Sequence, residues 1–108
     1  MNKVVLMGRL PRDPTIKYFE KGIAIGNFSL AVTRNVKNNG KEEVDYLNCT
    51  IFNKQAVFLD KYVKQGSKIL ISGRIENNNY AGKSGQFYSI KVIVEEIEFA
   101  EKNPNLYR

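Results

Sequence analysis

Histidine and tryptophan are absent from this 108-residue chain, and cysteine occurs once. Without an imidazole there is no histidine acid–base pair and no Ser-His-Asp or Cys-His nucleophile system. The usual zinc and iron sites also lose their commonest ligand. The single Cys49 excludes an intrachain disulfide, a thiolate metal cluster and a Cys-x-x-Cys redox pair. Between Asn48 and Thr50 in a strand-like run, it reads as a buried, inert thiol. Neither a Gly-x-x-x-x-Gly-Lys-Ser/Thr loop nor a Gly-x-Gly-x-x-Gly turn is present. No apolar stretch approaches the roughly 18–20 residues that a bilayer span needs. The run Val4-Val5-Leu6-Met7-Gly8 is too short for the apolar core of a signal peptide, and Arg9 closes it. The chain therefore reads as soluble and cytoplasmic, with no membrane partner.

Carboxylates are what remains for catalysis or metal binding. Glu42-Glu43 and Asp45 flank a loop, while Glu95, Glu96 and Glu98 lie on the last strand, Glu96 and Glu98 on one face and Glu95 on the other. A solvated edge that discourages strand-to-strand aggregation explains them better than a catalytic cluster. No enzyme, metal or cofactor is expected.

What the chain has in excess is positive charge. Seventeen Lys and Arg stand against eleven Asp and Glu, a formal net charge of +6. Residues 1–94 hold fifteen of the basic and seven of the acidic side chains, so the last fourteen residues are acidic on balance. A basic body suits a polyanion such as nucleic acid; an anionic membrane surface or plain solubility would also account for it.

Period-two alternation dominates the rest. Residues 3–10 form a first strand, stopped by Pro11 and Asp13-Pro14. Residues 15–20 form a short extended piece turning at Lys21-Gly22. Residues 23–33 form a long strand with Ala24, Gly26, Phe28, Leu30 and Val32 on one face, and Gly26 predicts a bulge or sharp bend. A polar hairpin loop over 35–41 contains Asn38-Asn39-Gly40. In the strand over 44–52, Leu47, Cys49 and Ile51 suit a core, while Tyr46, Asn48, Thr50 and Phe52 make a second face. The spacing of Ala56, Leu59 and Val63 predicts a helix over 55–65, with Phe58 and Tyr62 beside that face, capped by Asn53 and Gly66. Residues 67–75 form a strand with Ile69, Ile71, Gly73 and Ile75 inward. Residues 76–86 form a loop, and 87–99 the last strand. Counting the 15–20 piece as part of a bent first strand, the chain is all-β. It has five strands with one helix between the third and fourth, the layout of a five-stranded OB-fold barrel. An SH3-like barrel or a small α+β sheet shares that count.

Binding a single strand without reading its sequence needs cations along the phosphates and flat rings for the bases. Rings stand beside cations at Lys17-Tyr18-Phe19, at Phe52-Asn53-Lys54 and at Tyr80 with Lys83. A face that bears Tyr46 and Phe52 among polar side chains is a poor core and a good wet platform. These two are the stacking candidates from pattern alone; covering a core edge is the alternative for either ring. Phe28, Phe58, Tyr62, Phe87 and Phe99 read as core or interface packing. Lys3, Arg9, Lys17, Arg34, Lys37, Lys54 and Arg74 are the candidate phosphate contacts, and each equally suits a solvated surface charge.

Several segments carry a family resemblance. The opening Met1-Asn2-Lys3-Val4-Val5-Leu6-Met7-Gly8-Arg9-Leu10 is followed by Asp13-Pro14, Lys17-Tyr18 and Phe28-Ser29-Leu30-Ala31-Val32-Thr33. Then come Phe52-Asn53-Lys54, Lys64-Gln65-Gly66-Ser67, Gly73-Arg74 and Lys83-Ser84-Gly85-Gln86. In this order and spacing, over roughly residues 1–100, the chain resembles the bacterial single-stranded DNA-binding proteins. No one motif is specific; the ordered set is. The resemblance implies an OB-fold domain over residues 1–102 that assembles, usually as a homotetramer. It also implies wrapping of single-stranded DNA in replication, repair and recombination, in a nucleoid-associated cytoplasmic setting. It places base stacking on Tyr46, Phe52 and Tyr80.

The chain departs from the family at Val36, where an aromatic is common, at Asn77-Asn78-Asn79, where relatives often carry basic residues, and at Asn53, where many have glycine. Residues 103–108 read as a short flexible end without the family's acidic tail. The chain is either shortened or a tail-less form, such as a plasmid, phage or natural-transformation version. A natural tail-less form should not recruit the usual repair partners. An OB-type subunit of a replication-restart complex that mainly contacts proteins is the competing function. A metal-dependent OB-fold nuclease is a third.

Overall fold

The computed structural model describes residues 1–35 and 40–102. Lys37, most of the expected hairpin loop, the end at 103–108 and the side chain of Tyr80 lie outside the described part. Among the described residues eight strands and one helix follow in order: β1 (Val4–Arg9), β2 (Thr15–Tyr18), β3 (Ala24–Thr33), β4 (Val44–Phe52), α1 (Lys54–Tyr62), β5 (Lys68–Asn77), β6 (Tyr80–Gly82), β7 (Gly85–Phe87) and β8 (Ile90–Phe99). A single 3-10 turn (Glu20–Gly22) lies between β2 and β3.

Strands β1, β5, β8, β4 and β3 lie side by side in that order, and β1 meets β3 at Arg9↔Ala31, which closes a five-stranded OB-type barrel. β2 continues along the flank of β3 that β1 leaves, pairing Thr15↔Asn27 through Tyr18↔Ala24. β1 and β2 thus act as one strand bent at residues 11–14, where two prolines remove ladder donors. All pairs are antiparallel except β4 with β8, which meet through Cys49↔Val92 and Thr50↔Ile93.

Inside the barrel, Leu30, Ile51, Leu59, Val63, Ile69 and Ile71 are fully buried, with Phe28, Cys49, Ala56, Val92 and Val94 around them. α1 sits between the third and fourth barrel strands in sequence and turns Ala56 and Leu59 into that core. Phe58 packs its ring near Tyr62 and Phe99, centroids 5.4 and 5.6 Å apart, and extends the apolar seal along the helix flank. Leu47, expected in the core, is only half-buried.

Several expectations are corrected. The helix ends at Tyr62, because Val63 is extended and donates its N–H to Leu59 O. Gly66 is therefore not a helix cap; it turns the chain at φ +88° and donates to Leu10 O at 2.8 Å, tying this turn to the end of β1. The Asn53 side chain does not cap α1. It accepts the Ala24 N–H at 3.2 Å while the Asn53 N–H donates to Ala24 O at 2.8 Å, so this residue clamps the helix entry to β3. Its φ of +57° is a left-handed value that glycine adopts without strain.

Gly26 makes no bulge. A Cβ there would lie 2.9 Å from Ile51 and 3.1 Å from Leu59, so the residue is small to admit the helix against the sheet. The bulge lies instead between Ser72 and Gly73, opposite β8, and a Cβ at Gly73 would stand 2.0 Å from Ile93 O. Past the last β4–β8 pair at Cys49↔Val92, β5 and β8 continue as a two-stranded arm through Glu76↔Lys91 to Asn77↔Ile90. Ile75 pairs with the buried Val92, as the expected inward face requires, yet is itself 36% exposed. The expected loop over 76–86 contains most of the β6–β7 hairpin, and Phe87, at its end, is exposed and so outside the core, which leaves only the interface half of its expected packing role.

The Asn53 clamp predicts an ordering of variants. Asn53→Ala loses the bond to Ala24 and keeps the backbone strain, and is expected to cost about 1–2 kcal/mol. Asn53→Gly loses the same bond but sheds the strain, and should fall within roughly 0.5 kcal/mol of the parent chain by urea unfolding. Burial pushes the Cys49 thiol up to about 12. Native protein should resist thiol reagents at about pH 8, near the roughly 8.5 of a free thiol. The folded value lies above the unfolded one, so this contribution to stability is complete below the free-thiol value and lost as pH rises toward the folded value. The urea midpoint should fall from about pH 8 to about pH 11, and fall less in Cys49→Ala.

Candidate nucleic-acid interface

Directly paired residues of adjacent strands point to the same side of a sheet, so the pairings of β2, β3 and β4 define the outer face row by row. One end row is Lys17, Ile25 and Phe52. The next is Thr15, Asn27 and Thr50, followed by Ser29 with Asn48. Arg9, Ala31 and Tyr46 make the row beyond, where β1 closes onto β3. Phe52 and Tyr46 therefore bound a polar floor at its two ends, six residues apart along β4, or roughly 20 Å at strand rise. Tyr46 is 66% exposed and Phe52 42%.

Two hollows open on this face. One, about 520 Å³, lies over the polar rows and is walled by Arg12 from the β1–β2 connection and by Asn78 and Lys91 from the arm. The other, about 460 Å³, holds Tyr46 with Arg9, Arg34 and Lys68 around it. The floor of the first is not all wet. Thr50 is buried, and its hydroxyl donates to Asn27 Oδ1 at 2.9 Å.

The candidate cations divide into two groups. Arg9 makes a forked contact with Glu101 at 2.7 and 2.9 Å and donates to Gly66 O at 2.8 Å. That hydrogen bond and charge raise the arginine further and lower the Glu101 carboxyl. Arg34 bonds Asp45 at 2.9 and 3.1 Å and Glu43 at 2.5 Å, and the Arg34 contact holds Asp45 below the usual carboxylate range. Lys3 faces Glu95 at 3.4 Å, while Arg74 faces Glu76 at 2.7 Å and Glu95 at 3.6 Å. All these pairs are solvent-exposed and thus contribute little, and a phosphate can replace the carboxylate. Lys17 and Lys54 have no ion-pair partner among the described residues, and Lys17 shares the row of Phe52.

Sequence reasoning missed Arg12 and Lys91, which wall the floor and likewise have no partner among the described residues. For Lys91 a signal existed: a cation interrupting the apolar run from Ile90 to Val94, outward if Val92 and Val94 are inward. Arg12 carried only its place between two prolines. Among the described residues no group of carboxylates and cysteine is arranged to hold a metal ion, and no helix is long and apolar enough to cross a membrane.

The chain is similar to several curated proteins. It is 40% identical over 103 residues to the single-stranded DNA-binding protein of Oceanobacillus iheyensis, covering 94% of this chain and 64% of that one. It is 41% identical over 103 residues to the protein of that name from Bacillus cereus, covering 94% and 61%. It is 43% identical over 105 residues to single-stranded DNA-binding protein 1 of Lactococcus lactis, covering 95% and 70%. The chain thus spans somewhat over 60% of the length of the first two relatives. The family model described as the single-strand binding protein family matches residues 1–100, and with these identities this barrel belongs to that family.

Proposed function

We propose that this chain binds single-stranded DNA with little dependence on sequence, and that it works by binding rather than catalysis. The observation that carries the reading is the outer face of β3 and β4: two exposed rings at the ends of a polar floor, with unpaired cations on its walls. The names of the relatives agree with it. Bases stack on Tyr46 and Phe52, with Tyr80 of the β6–β7 hairpin as a third platform. Arg12, Lys17, Lys54 and Lys91 contact phosphates at once. Lys3, Arg9, Arg34 and Arg74 do so after exchanging a carboxylate for a phosphate, and Lys37 completes the candidate set. Occluding the strand in this way protects it during replication, repair and recombination.

Residues 1–102 serve as the binding domain, and copies assemble, most simply as a homotetramer. Supporting self-association, Val5 and Met7 are 64% and 51% exposed on β1, and among the described residues no strand lies along the β1 edge that faces away from β5 until Arg9 meets Ala31.

Oligo(dT) is expected to bind far more tightly than duplex of equal length, because only unpaired bases offer both faces to the rings. Equal affinity for the two overturns the proposal. Each of Tyr46→Ala and Phe52→Ala should lose about 1–3 kcal/mol of oligo(dT) binding, with assembly size unchanged by sedimentation. Loss of assembly with DNA binding retained would instead favour a module devoted to protein contacts. Arg12→Ala and Lys91→Ala should each flatten the slope of log affinity against log salt by about 0.7.

A further inference from the structure

The outer face does not stop at the row of Lys17, Ile25 and Phe52. The register of β2 and β3 carries on past Tyr18, because Phe19 donates its N–H to Ile23 O at 2.8 Å. Phe19 is extended, at φ −119° and ψ 173°, so the alternation of faces holds through it. Tyr18, one residue earlier, stands opposite the buried Ala24, and its hydroxyl donates to Asp60 Oδ2 on α1 at 2.5 Å. That bond fixes Tyr18 on the helix side of the sheet. Phe19 then falls on the other side, the one that carries Lys17 and Phe52. Phe19 and Ile23 thus make a further row, and they are 52% and 47% exposed.

A phenyl ring half in water at a turn buries little and adds little to the fold. Among the described residues no other ring packs on it. Lys17 precedes it by two residues, Lys21 follows in the turn, and Lys54 opens α1 directly after the Asn53 clamp. None of these lysines has an ion-pair partner among the described residues, and the turn itself holds one carboxylate, Glu20. Two strands across and one row along separate Phe19 from Phe52, roughly 12 Å from strand spacing and rise. A nucleic-acid strand that stacks on Phe52 and follows the sheet toward β2 meets Lys17 and then this second ring. Continuity with the binding face and the lysines around the ring favour a polyanion that carries flat bases over a protein partner.

We propose that Phe19 is a further base-stacking ring, and that it carries the bound strand beyond Phe52 onto the β2–β3 turn. The inference rests on the strand-binding function above and adds a subsite to it.

The chain has no tryptophan, so Phe19→Trp installs a single reporter in the full chain. The probe is oligo(dT) of about 16 nucleotides, the upper end of what one OB-fold covers. Its addition should quench the tryptophan emission as a base stacks on the indole, and duplex of equal length should leave the emission unchanged. Phe19→Ala should bind the fluorescein-labelled oligomer about fivefold or more weakly by anisotropy, the low end for one stacked base. Phe19→Leu keeps apolar bulk without a ring and should lose as much, whereas Phe19→Trp should bind at least as tightly as the parent. Phe19 is exposed, so all three variants should keep the parent circular dichroism. Tryptophan emission that oligo(dT) leaves unchanged, or parent affinity in Phe19→Ala, overturns the subsite and leaves strand binding intact. Parent affinity in Phe19→Leu overturns it too, by marking an apolar contact without stacking. Smaller assemblies of Phe19→Ala by sedimentation, with oligo(dT) affinity retained, would assign the ring to contacts between proteins instead. If the parent chain does not bind oligo(dT), strand binding itself falls, and the subsite with it.

Discussion

Burial of Leu30, Cys49 and Ile51 holds β3 and β4 in one register, and the rest of the binding face follows from it. Side chains alternate across a strand, so a core that takes these residues must turn Tyr46, Asn48 and Phe52 to the opposite side. A slip of one residue would bury the rings and expose the aliphatic set. The barrel supplies the second half of the constraint. By closing β1 onto β3 at Ala31 it brings Arg9 beside Tyr46, and by continuing β2 along β3 it brings Lys17 into the row of Phe52. Core packing and ligand surface are therefore two sides of a single arrangement.

Charge is organised with equal economy. The arginines nearest Tyr46 are held in extended poses by Glu101, Glu43 and Asp45, whereas Arg12, Lys17, Lys54 and Lys91 stand without carboxylates among the described residues. An exposed pair is weak enough to be exchanged for a phosphate, and meanwhile it keeps a long side chain ordered. Free cations supply long-range attraction to a polyanion; paired ones supply position.

Reading from sequence went astray where a residue's role depends on what approaches it from elsewhere in the chain. Gly26 looked like a bulge because glycine in a strand often marks one, yet the register runs through it unbroken and its smallness makes room for Leu59 of the helix. Asn53 looked like a helix cap, yet its amide is recruited by the backbone of Ala24, twenty-nine residues away. Phe87 is apolar and could have joined the core, but the β6–β7 hairpin that carries it forms a two-stranded sheet of its own, and the residue is exposed. Arg12 matters because the bent first strand swings its loop over β3 and β4, and no local pattern encodes that swing.

From the sequence alone, alternation of apolar and polar residues determined the strands, the helix between the third and fourth of them, and the outward set on β4. These are properties of neighbours a few residues apart, and backbone geometry translates them directly into faces. The order of the family-like segments determined the kinship. Only the tertiary structure decided which cations are paired among the described residues, where the bulge falls, and that Asn53 clamps the entry of the helix to β3. Each of those depends on groups distant in sequence meeting at hydrogen-bond range, a distance that periodicity does not carry.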